Sequence, residues 1–270
     1  MDKSIIVLGR GFLGKEFERA GFQAVDDYIH TDEASSRKYL DLMCKDHDVI
    51  INCIGITDVR WCQNPYNFSE VMFVNGMLPR VISKWCHDNG KKFVHISSGC
   101  IYGGDDNFYS YRESDVPMPK CVYSLTKYVG DLYCSPVDDI IIRPRLLFSD
   151  VKHKSNFLYR LQNFPSFVYD REDSLTATCT VVRTVEQLIK EDCSGIFNVA
   201  QKGKFSIYEI AKMLEIVEHP QKITMDELRL KEGVTLSNVV MDCSKANKFY
   251  TPINLIDSLF LCYSQLKDLG

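Results

Sequence analysis

Residues 4–14 read Ser-Ile-Ile-Val-Leu-Gly-Arg-Gly-Phe-Leu-Gly. The apolar, β-branched residues 4–8 predict a short buried strand, and the amphipathic residues 12–20 predict a helix directly after it. Between them, Gly9, Gly11 and Gly14 form the pattern G-x-G-x-x-G. Glycines permit a tight turn and let backbone N–H groups approach a pyrophosphate at the start of the helix. The stretch therefore predicts a dinucleotide-binding strand–turn–helix, and a turn that merely joins strand and helix is the alternative.

Further apolar runs repeat this alternation along the chain. Residues 49–54, 93–96 and 140–142 are short and apolar, and helix-period segments at 70–86 and 123–133 separate them. Strands this apolar are typical of a parallel sheet that is covered on both faces. We therefore expect an α/β fold, a doubly wound parallel sheet of the Rossmann type with right-handed crossovers.

The character of the sequence changes after about residue 149, where the segments become shorter and more polar. We expect residues 1–149 to form a dinucleotide-binding domain, and residues 150–270 to form mainly a smaller, interleaved C-terminal substrate-binding lobe. Within that lobe, residues 195–200 have the composition of another buried strand, which we expect to return to the main sheet. A final helix is expected over residues 255–266.

The composition limits the classes of partner. The chain has 270 residues, 45% of them hydrophobic, and its formal net charge of -4 gives no electrostatic reason to expect nucleic-acid binding. No apolar run approaches the roughly 20 residues needed to cross a bilayer, so no membrane partner is expected. Eleven cysteines without CxxC pairs, in a sequence without a signal peptide, indicate a cytoplasmic location. The six histidines lack close Cys or His partners, and no metal is expected.

Two charged residues bear on which dinucleotide binds. Asp26 lies at the end of the expected second strand, where its carboxylate can accept hydrogen bonds from the adenosine ribose hydroxyls of NAD(H). Arg10 stands in the glycine turn, where its guanidinium can clamp the 2′-phosphate of NADP(H). The expected cofactor is therefore NADP(H) or NAD(H). Asp26, like the adjacent Asp27, is alternatively a solvated loop residue.

Tyr123 and Lys127 form the pattern Y-x-x-x-K at the start of an expected helix, where side chains four residues apart share a face. A phenol with a pKa of about 10 exchanges protons poorly at neutral pH, and a nearby ammonium favours its ionised form. Ser98 follows the strand at 93–96, at the edge where open α/β sheets bind ligands, and can hydrogen-bond a reacting carbonyl. Each pattern alone has an ordinary structural explanation, but together with the glycine turn they favour a catalytic site.

The glycine turn, Ser98 and Tyr-x-x-x-Lys, in this order and spacing, resemble an extended short-chain dehydrogenase/reductase. The resemblance implies that Asn52-Cys53-Ile54-Gly55 borders the cofactor and that Asn75 supports the active site from a helix. The cofactor-binding residues that it implies are Gly9, Arg10, Gly11, Phe12, Leu13, Gly14, Asp26, Ile54, Gly55, Tyr123 and Lys127. Within this family the chain resembles dTDP-4-dehydrorhamnose reductase and the plant-type UDP-4-keto-6-deoxyglucose 3,5-epimerase/4-reductase, with matching stretches over nearly the whole chain.

This resemblance implies an NAD(P)-dependent oxidoreductase of rhamnose biosynthesis, which reduces the C4 carbonyl of a nucleoside-diphosphate-4-keto-6-deoxyhexose linked to UDP or dTDP. Ser98, Tyr123 and Lys127 are then the catalytic residues. The implied sugar contacts, between the two lobes, are Thr57, Arg145 and Asn156. Arg145 is equally a candidate for a structural ion pair.

A second activity, as a 3,5-epimerase, depends on Cys100. Cysteines at this place in resembling enzymes transfer protons beside the keto group, whereas the alternative for Cys100 is a buried small hydrophobic side chain. Where plant-type enzymes carry an epimerase-associated lysine, this chain has Arg160, whose guanidinium stays protonated. His153 or Lys154 would then have to supply the second proton-transfer group.

Two other functions stay open. A nucleotide-sugar epimerase or dehydratase of the same family would recycle its cofactor instead of consuming it. A non-catalytic regulatory subunit would keep the fold without turnover. The expected partner is in each enzymatic case a nucleotide-sugar substrate, and a homodimer is also left open.

Overall fold

The computed structural model of the protein describes residues 3–26, 32–104, 109–162, 167–233 and 235–268. The strands are β1 (Ile5–Leu8), β2 (Gln23–Val25), β3 (Val49–Asn52), β4 (Lys92–Ile96), β5 (Ser110–Tyr111), β6 (Ile140–Pro144), β7 (Leu147–Phe148), β8 (Phe167–Tyr169), β9 (Glu172–Asp173), β10 (Thr176–Ala177), β11 (Gly195–Val199), β12 (Phe205–Ser206), β13 (Gln221–Ile223) and β14 (Val240–Met241). The helices are α1 (Phe12–Arg19), α2 (Glu33–Met43), α3 (Val59–Gln63), α4 (Phe68–Met72), α5 (Leu78–Asp88), α6 (Val122–Tyr133), α7 (Phe157–Leu161), α8 (Thr178–Lys190), α9 (Ile207–Met213), α10 (Met225–Glu232) and α11 (Leu255–Asp268).

The central sheet has six parallel strands in the order β11-β6-β4-β3-β1-β2. From β1 the chain first adds β2 on one side and then crosses to the other side to add β3. The strand order therefore reverses between β1 and β3, and open α/β sheets bind ligands at the carboxyl ends of the strands that flank such a point. The doubly wound parallel fold predicted from the sequence is confirmed.

Alternate side chains of the strands pack into two separate hydrophobic cores, one on each face of the sheet. On one face, Val7, Ile51 and Val94 pack with residues of α1 and α8. On the other face, Ile50 and Phe93 pack with residues of α2 and α5. Successive residues of a strand point to opposite faces of the sheet, and both faces are covered here. Every position of these strands therefore has to be apolar, which explains the continuous apolar runs in the sequence.

The C-terminal part of the chain contributes to this sheet and also has a core of its own. β11, the segment expected at residues 195–200, pairs with β6, and α8 covers one face of the sheet. A further hydrophobic cluster draws its residues from β7, α7, β8, β10, α9 and α11. The polypeptide between Phe148 and Leu266 thus divides between the main sheet and this second core.

A continuous helical stretch runs from Phe68 to Asp88, and it is not regular. α4 and α5 are joined by a π-helical segment, Phe73–Met77, where the sequence pattern predicts one unbroken helix over residues 70–86. Pro79, in the first turn of α5, has no N–H to donate to a regular ladder, and wide turns of this kind are frequent at functional sites. The periodicity of apolar residues does not reveal the extra residue in the turn.

All eleven cysteines are free thiols. Within the described ranges, no helix is both long and apolar enough to span a bilayer.

Candidate active site

The glycine turn between β1 and α1 depends on missing side chains at two positions. Gly9 has a φ of 99°, a conformation that residues with a Cβ rarely adopt. At Gly14 an added Cβ would lie 1.7 Å from the Gly9 carbonyl oxygen, so the first turn of α1 packs directly on the turn before it. At Gly11, by contrast, an added Cβ would meet nothing within 4 Å. The space over Gly11 is therefore open at the start of α1, where a pyrophosphate is expected.

The other predicted cofactor residues take different places around this turn. Leu13 and Ile54 are buried in the two cores of the sheet, which leaves their backbones as the groups that can face a cofactor. Phe12 stacks on the ring of His153, with 5.1 Å between ring centroids. Gly55 follows β3, and a Cβ added there would lie 3.8 Å from Nζ of Lys127. The glycine turn and the Tyr-x-x-x-Lys helix thus border the same carboxyl end of the sheet.

Arg10 is paired with two carboxylates. Its Nε and Nη2 donate to Glu18 of α1, at 3.3 and 3.1 Å from Oε2, and its Nη1 donates to Oδ1 of Asp26 at 3.4 Å. The hydrogen bond with Glu18 is the largest cause that raises the pKa of Arg10 above its usual value. Asp26 directly follows β2, as expected from the sequence, whereas Asp27 lies outside the described residues.

Ser98, Tyr123 and Lys127 come together at the carboxyl end of β4. All three side chains are buried, and Tyr123 forms a hydrogen bond with Ser98. Nζ of Lys127 donates to the carbonyl oxygen of Ile96 at 2.8 Å, which fixes α6 against the end of β4. Burial lowers the pKa of Lys127 to about 8, against the opposing charge of Asp131.

The ionisation of Tyr123 differs from the sequence-based expectation that Lys127 lowers its pKa. Burial raises the pKa of the Tyr123 phenol above its usual value, the proximity of Cys100 adds to this, and the hydrogen bond with Ser98 opposes it only in part. Desolvation of the phenolate outweighs the influence of neighbouring charges here. The phenol therefore holds its proton at neutral pH.

Asn75 lies in the π-helical segment and connects three elements. Its Oδ1 accepts from the backbone N–H of Ile56 at 2.9 Å, and its Nδ2 donates to the carbonyl oxygen of Ile56 and to Oγ1 of Thr126. Thr126 stands between Tyr123 and Lys127 on α6. Asn75 is fully buried and makes these contacts from the wide turn, so it fixes the chain after β3 against α6.

Arg145 has the geometry of a structural ion pair. Its Nε and Nη2 donate to the two carboxylate oxygens of Asp173 at 2.7 and 2.6 Å, and Nη2 also donates to the carbonyl oxygen of Ser237. Both side chains of the pair are at most 4% exposed. Nη1 is the remaining group, and it points at Sγ of Cys100. Arg145 is thus linked to the site through Cys100.

The two other predicted sugar contacts differ in exposure. Thr57 is exposed shortly after β3, whereas Asn156 is fully buried. The Asn156 amide caps α7 and bonds to the backbone of Ser149 and Val151, so its hydrogen-bonding groups are engaged within its own loop. His153 belongs to the same loop, stacked on α1, and burial lowers its pKa.

A cleft of about 930 Å³ lies between residues that precede α6 and the C-terminal part of the chain. Gly104 and Lys120 line it from the part of the chain before α6, and Lys222, Arg229 and Asn238 line it from the C-terminal part. Its volume is in the range of small-molecule sites, and its lining contains cations together with the carboxylates Asp170, Asp226 and Glu227. Nζ of Lys222 is paired with Asp170 at 2.6 Å.

Sequence reasoning missed three carboxylates beside the predicted site: Asp173, the partner of Arg145, and Asp131 and Glu18. Asp131 lies four residues after Lys127, a spacing that could have indicated it, and its Oδ2 accepts from Nε of Arg143 at 2.8 Å. Glu18, eight residues after Arg10, has no local pattern that marks it as a partner. Within the described residues, no group of three His, Cys, Asp or Glu side chains is arranged as a metal site.

The glycine turn fits a dinucleotide for two reasons. A side chain at Gly14 would collide with the backbone of the turn, and the space over Gly11 is free to take a phosphate. The buried hydroxyls of Ser98 and Tyr123 can both reach one oxygen, and Lys127 supplies a cation beside them. Such a set can protonate an oxygen on which negative charge develops.

Comparisons with known proteins give a consistent picture. The family described as "RmlD substrate binding domain" matches residues 4–232. A dTDP-4-keto-6-deoxy-D-glucose reductase from Streptomyces niveus is 28% identical over 173 residues, which are 61% of this chain and 58% of that protein. The chain therefore spans little more than half the length of this relative.

Solved structures match over almost the full chain. A UDP-rhamnose synthase from Acanthamoeba polyphaga mimivirus superposes with a TM-score of 0.84 at 17% identity, covering 97% of this chain and 99% of that one. A dTDP-4-dehydrorhamnose reductase from Bacillus anthracis, in complex with NADP, superposes with a TM-score of 0.81 at 19% identity, covering 98% of this chain and 100% of that one. At these identities the likeness establishes the fold.

Proposed function

The chain belongs to the family of the RmlD substrate binding domain, and from this membership we propose that it is an NAD(P)H-dependent reductase of a nucleoside-diphosphate-4-keto-6-deoxyhexose. The observation that carries the proposal is the buried set of Ser98, Tyr123 and Lys127 beside the glycine turn. Relatives named as dTDP-4-keto-6-deoxy-D-glucose reductase and dTDP-4-dehydrorhamnose reductase support the substrate class. The cytoplasmic location and a homodimer stay predictions.

The glycine turn would hold a reduced dinucleotide, which when bound would supply the hydride for C4 of the sugar. Tyr123 donates its phenol proton to the C4 oxygen, and Ser98 donates a hydrogen bond to the same oxygen. The raised pKa of Tyr123 suits this direction, because a proton donor has to be protonated when the substrate binds. Lys127 would hold the nicotinamide ribose and would keep a positive charge near the phenolate that forms. A proton donor placed in this way contributes about 10²- to 10⁴-fold to the rate.

We assign the nucleoside diphosphate to the cleft of about 930 Å³. Four cations, Lys120, Arg171, Lys222 and Arg229, line the cleft against three carboxylates, Asp170, Asp226 and Glu227, which leaves one positive charge in excess for the phosphates. Lys222 is paired with Asp170 at 2.6 Å, so Arg229 is the first candidate for a phosphate contact. Thr57 is exposed on the side of β3 and stays a candidate sugar contact. In this proposal Arg145 does not contact the sugar directly, and it influences the site through Cys100 and the C-terminal part of the chain. Asn156 orders its own loop.

A 3,5-epimerase activity is the second candidate function, and the contact between Arg145 and Cys100 is the observation that favours it. A thiol beside a guanidinium can take part in proton transfer at a carbon next to the keto group. Arg160 lies near Tyr169, which is itself close to Cys100, so this half of the site contains a phenol as well as two guanidinium groups.

The reductase is tested by incubating the pure protein with UDP- or dTDP-4-keto-6-deoxyglucose, with and without prior 3,5-epimerisation, plus NADH or NADPH. We expect stoichiometric oxidation of the dinucleotide and a 4-hydroxy sugar product. An epimerase or dehydratase that recycles its cofactor would convert the sugar without net oxidation. A regulatory subunit would bind ligands without any turnover, and either result would contradict the proposal.

Deuterium labelling tests the second activity. If Cys100 transfers protons, the product formed in D₂O carries deuterium at C3 or C5. Cys100→Ser should then lose that label and still reduce pre-epimerised substrate. An unlabelled wild-type product would mean that the protein is a reductase only.

A further inference from the structure

At the adenosine end of the expected cofactor site, one cationic side chain contacts two carboxylates. Arg10 lies in the glycine turn, Glu18 on α1 and Asp26 after β2. In the doubly wound fold, the residue after the second strand faces the adenosine ribose, and a residue in the turn faces the same ribose from the phosphate side. Arg10 and Asp26 therefore border the position at which NADH carries a 2′-hydroxyl and NADPH carries a 2′-phosphate, and Glu18 acts there through its contact with Arg10.

The two carboxylates hold Arg10 to different degrees. Glu18 receives three contacts from the guanidinium, from Nε at 3.3 Å and from Nη2 at 3.0 and 3.1 Å. Asp26 receives one contact, from Nη1 at 3.4 Å, and its side chain is 83% exposed. Two donors of the fork are thus directed at Glu18, which is the geometry of a bidentate pair. Asp26 keeps lone pairs available for ribose hydroxyls.

The net charge of this group disfavours a phosphate. Arg10 contributes one positive charge, and Glu18 and Asp26 contribute one negative charge each, which leaves one negative charge in excess. A ribose hydroxyl donates hydrogen bonds to such a group, whereas a 2′-phosphate is repelled by both carboxylates and finds the Nε and Nη2 of Arg10 already bonded.

We propose that Glu18 is the residue that sets the cofactor preference, by keeping Arg10 from a 2′-phosphate, so that the chain binds NADH more tightly than NADPH. This inference rests on the proposed function, which supplies the dinucleotide. It also reassigns Arg10: the residue that in the sequence favours NADP is, in its observed pairing, the partner of a carboxylate on α1.

Direct binding without sugar tests the inference. Dissociation constants of NADH and NADPH are measured by fluorescence for the wild type, Glu18→Gln, Arg10→Ala and the double variant. We expect the wild type to bind NADH at least about fivefold more tightly, and Glu18→Gln to bind NADPH about fivefold more tightly than the wild type, the size of one exposed charge interaction. NADH binding should change less than about twofold, within the same range for exposed charges.

The double variant decides whether Glu18 acts through Arg10. In the Arg10→Ala background, Glu18→Gln should improve NADPH binding by much less, because no guanidinium is left to release. Glu186→Gln is the matched control, since Glu186 pairs with Arg183 on the surface of α8. The gain in NADPH binding should also shrink as salt is added.

Three results would overturn the inference: a wild type that binds NADPH as tightly as NADH, an unchanged NADPH affinity in Glu18→Gln, or a full gain that persists without Arg10. Binding of neither dinucleotide would overturn the inference and the proposed function together. Binding with the expected ratios but without sugar reduction would leave the inference intact and contradict the reductase alone.

Discussion

Burial keeps the Tyr123 phenol protonated, and its hydroxyl is the proton donor of the proposed reaction. Tyr123→Phe removes this oxygen and leaves the buried ring in place. We expect turnover to fall at least about a hundredfold, because the proton donor is lost. Binding of the dinucleotide should be nearly unchanged, as measured by fluorescence titration.

Tyr133→Phe is the control for this change, because Tyr133 ends the same helix and is 45% exposed. Its turnover should equal that of the wild type. Near-normal reduction by Tyr123→Phe would remove Tyr123 from the proposed mechanism.

Lys127 makes both activity and stability depend on pH. With a pKa of about 8, its ammonium is lost as the pH rises through that value, and the rate of reduction should fall in the same range. The free energy of unfolding, in contrast, should increase as the pH rises. The pKa of a lysine side chain is ordinarily 10.5, as in the unfolded chain, whereas that of Lys127 in the fold is about 8. Between these two pH values the native state has lost the proton that the unfolded state still holds. The cost of burying the charge is present below pH 8 and is relieved as the pH rises toward 10.5.

Lys127→Met tests the effect of this ionisation on stability. The free energy of unfolding of the wild type should increase relative to this variant as the pH is raised across that window, followed by urea denaturation. Lys84→Met, at an exposed position of α5, should show no such change. A difference between wild type and Lys127→Met that is independent of pH would mean that the burial of Lys127 does not shift its ionisation.

Among the elements, the junction of β1 and α1 offers a matched pair of substitutions. Gly14→Ala places a Cβ against the Gly9 carbonyl oxygen, so α1 has to move away from the turn. We expect a loss of about 1–3 kcal/mol in the free energy of unfolding, as for overpacked sites. Gly11→Ala has open space around its Cβ and should change stability by less than about 1 kcal/mol. Equal losses in urea denaturation would contradict the close packing at Gly14.

The elements that the sequence predicts well are those whose signal is local. β1, β3, β4 and β11 coincide with apolar runs to within two residues, because strands covered on both faces need apolar side chains on both sides. The π-helical segment was missed, since one extra residue in a turn leaves the surrounding periodicity almost intact. The π-helical segment lies at Asn75 because of a tertiary contact, the hydrogen bonds between Asn75 and Ile56.

The same distinction applies to the candidate site. Tyr123, Lys127 and Ser98 were predicted because two of them are four residues apart on one helix and the third ends a strand. The partners of Arg10 and Arg145 were not predicted, because Glu18 and Asp173 meet them only in the folded chain. For Arg145 the sequence left a sugar contact and an ion pair equally open, and no local pattern distinguishes them.

For the molecule as a whole, the buried pair of Arg145 and Asp173 joins the end of the main sheet to the C-terminal part of the chain. Arg145→Ala would leave the Asp173 carboxylate buried without its cation. We expect the free energy of unfolding to fall by about 3–5 kcal/mol, the usual result of removing one partner of a buried pair. Arg183→Ala, which breaks an exposed pair on α8, should cost less than about 1 kcal/mol. Thermal and urea denaturation of both variants compare the two, and similar losses would contradict a structural part for Arg145.

The late return of α8 and β11 to the sheet has a consequence for synthesis on the ribosome. The chain grows at about 5–20 residues per second, and the first five strands of the sheet emerge well before the sixth. Until β11 arrives, the outer edge of β6 has no partner strand, and one face of the sheet lacks the apolar side chains of α8. An unpaired apolar edge is a template for association with other chains. A nascent chain stalled before Thr178 should therefore be bound by chaperones and be sensitive to proteases. The released chain of 270 residues, in which α9 and α11 also complete the second core, should be neither.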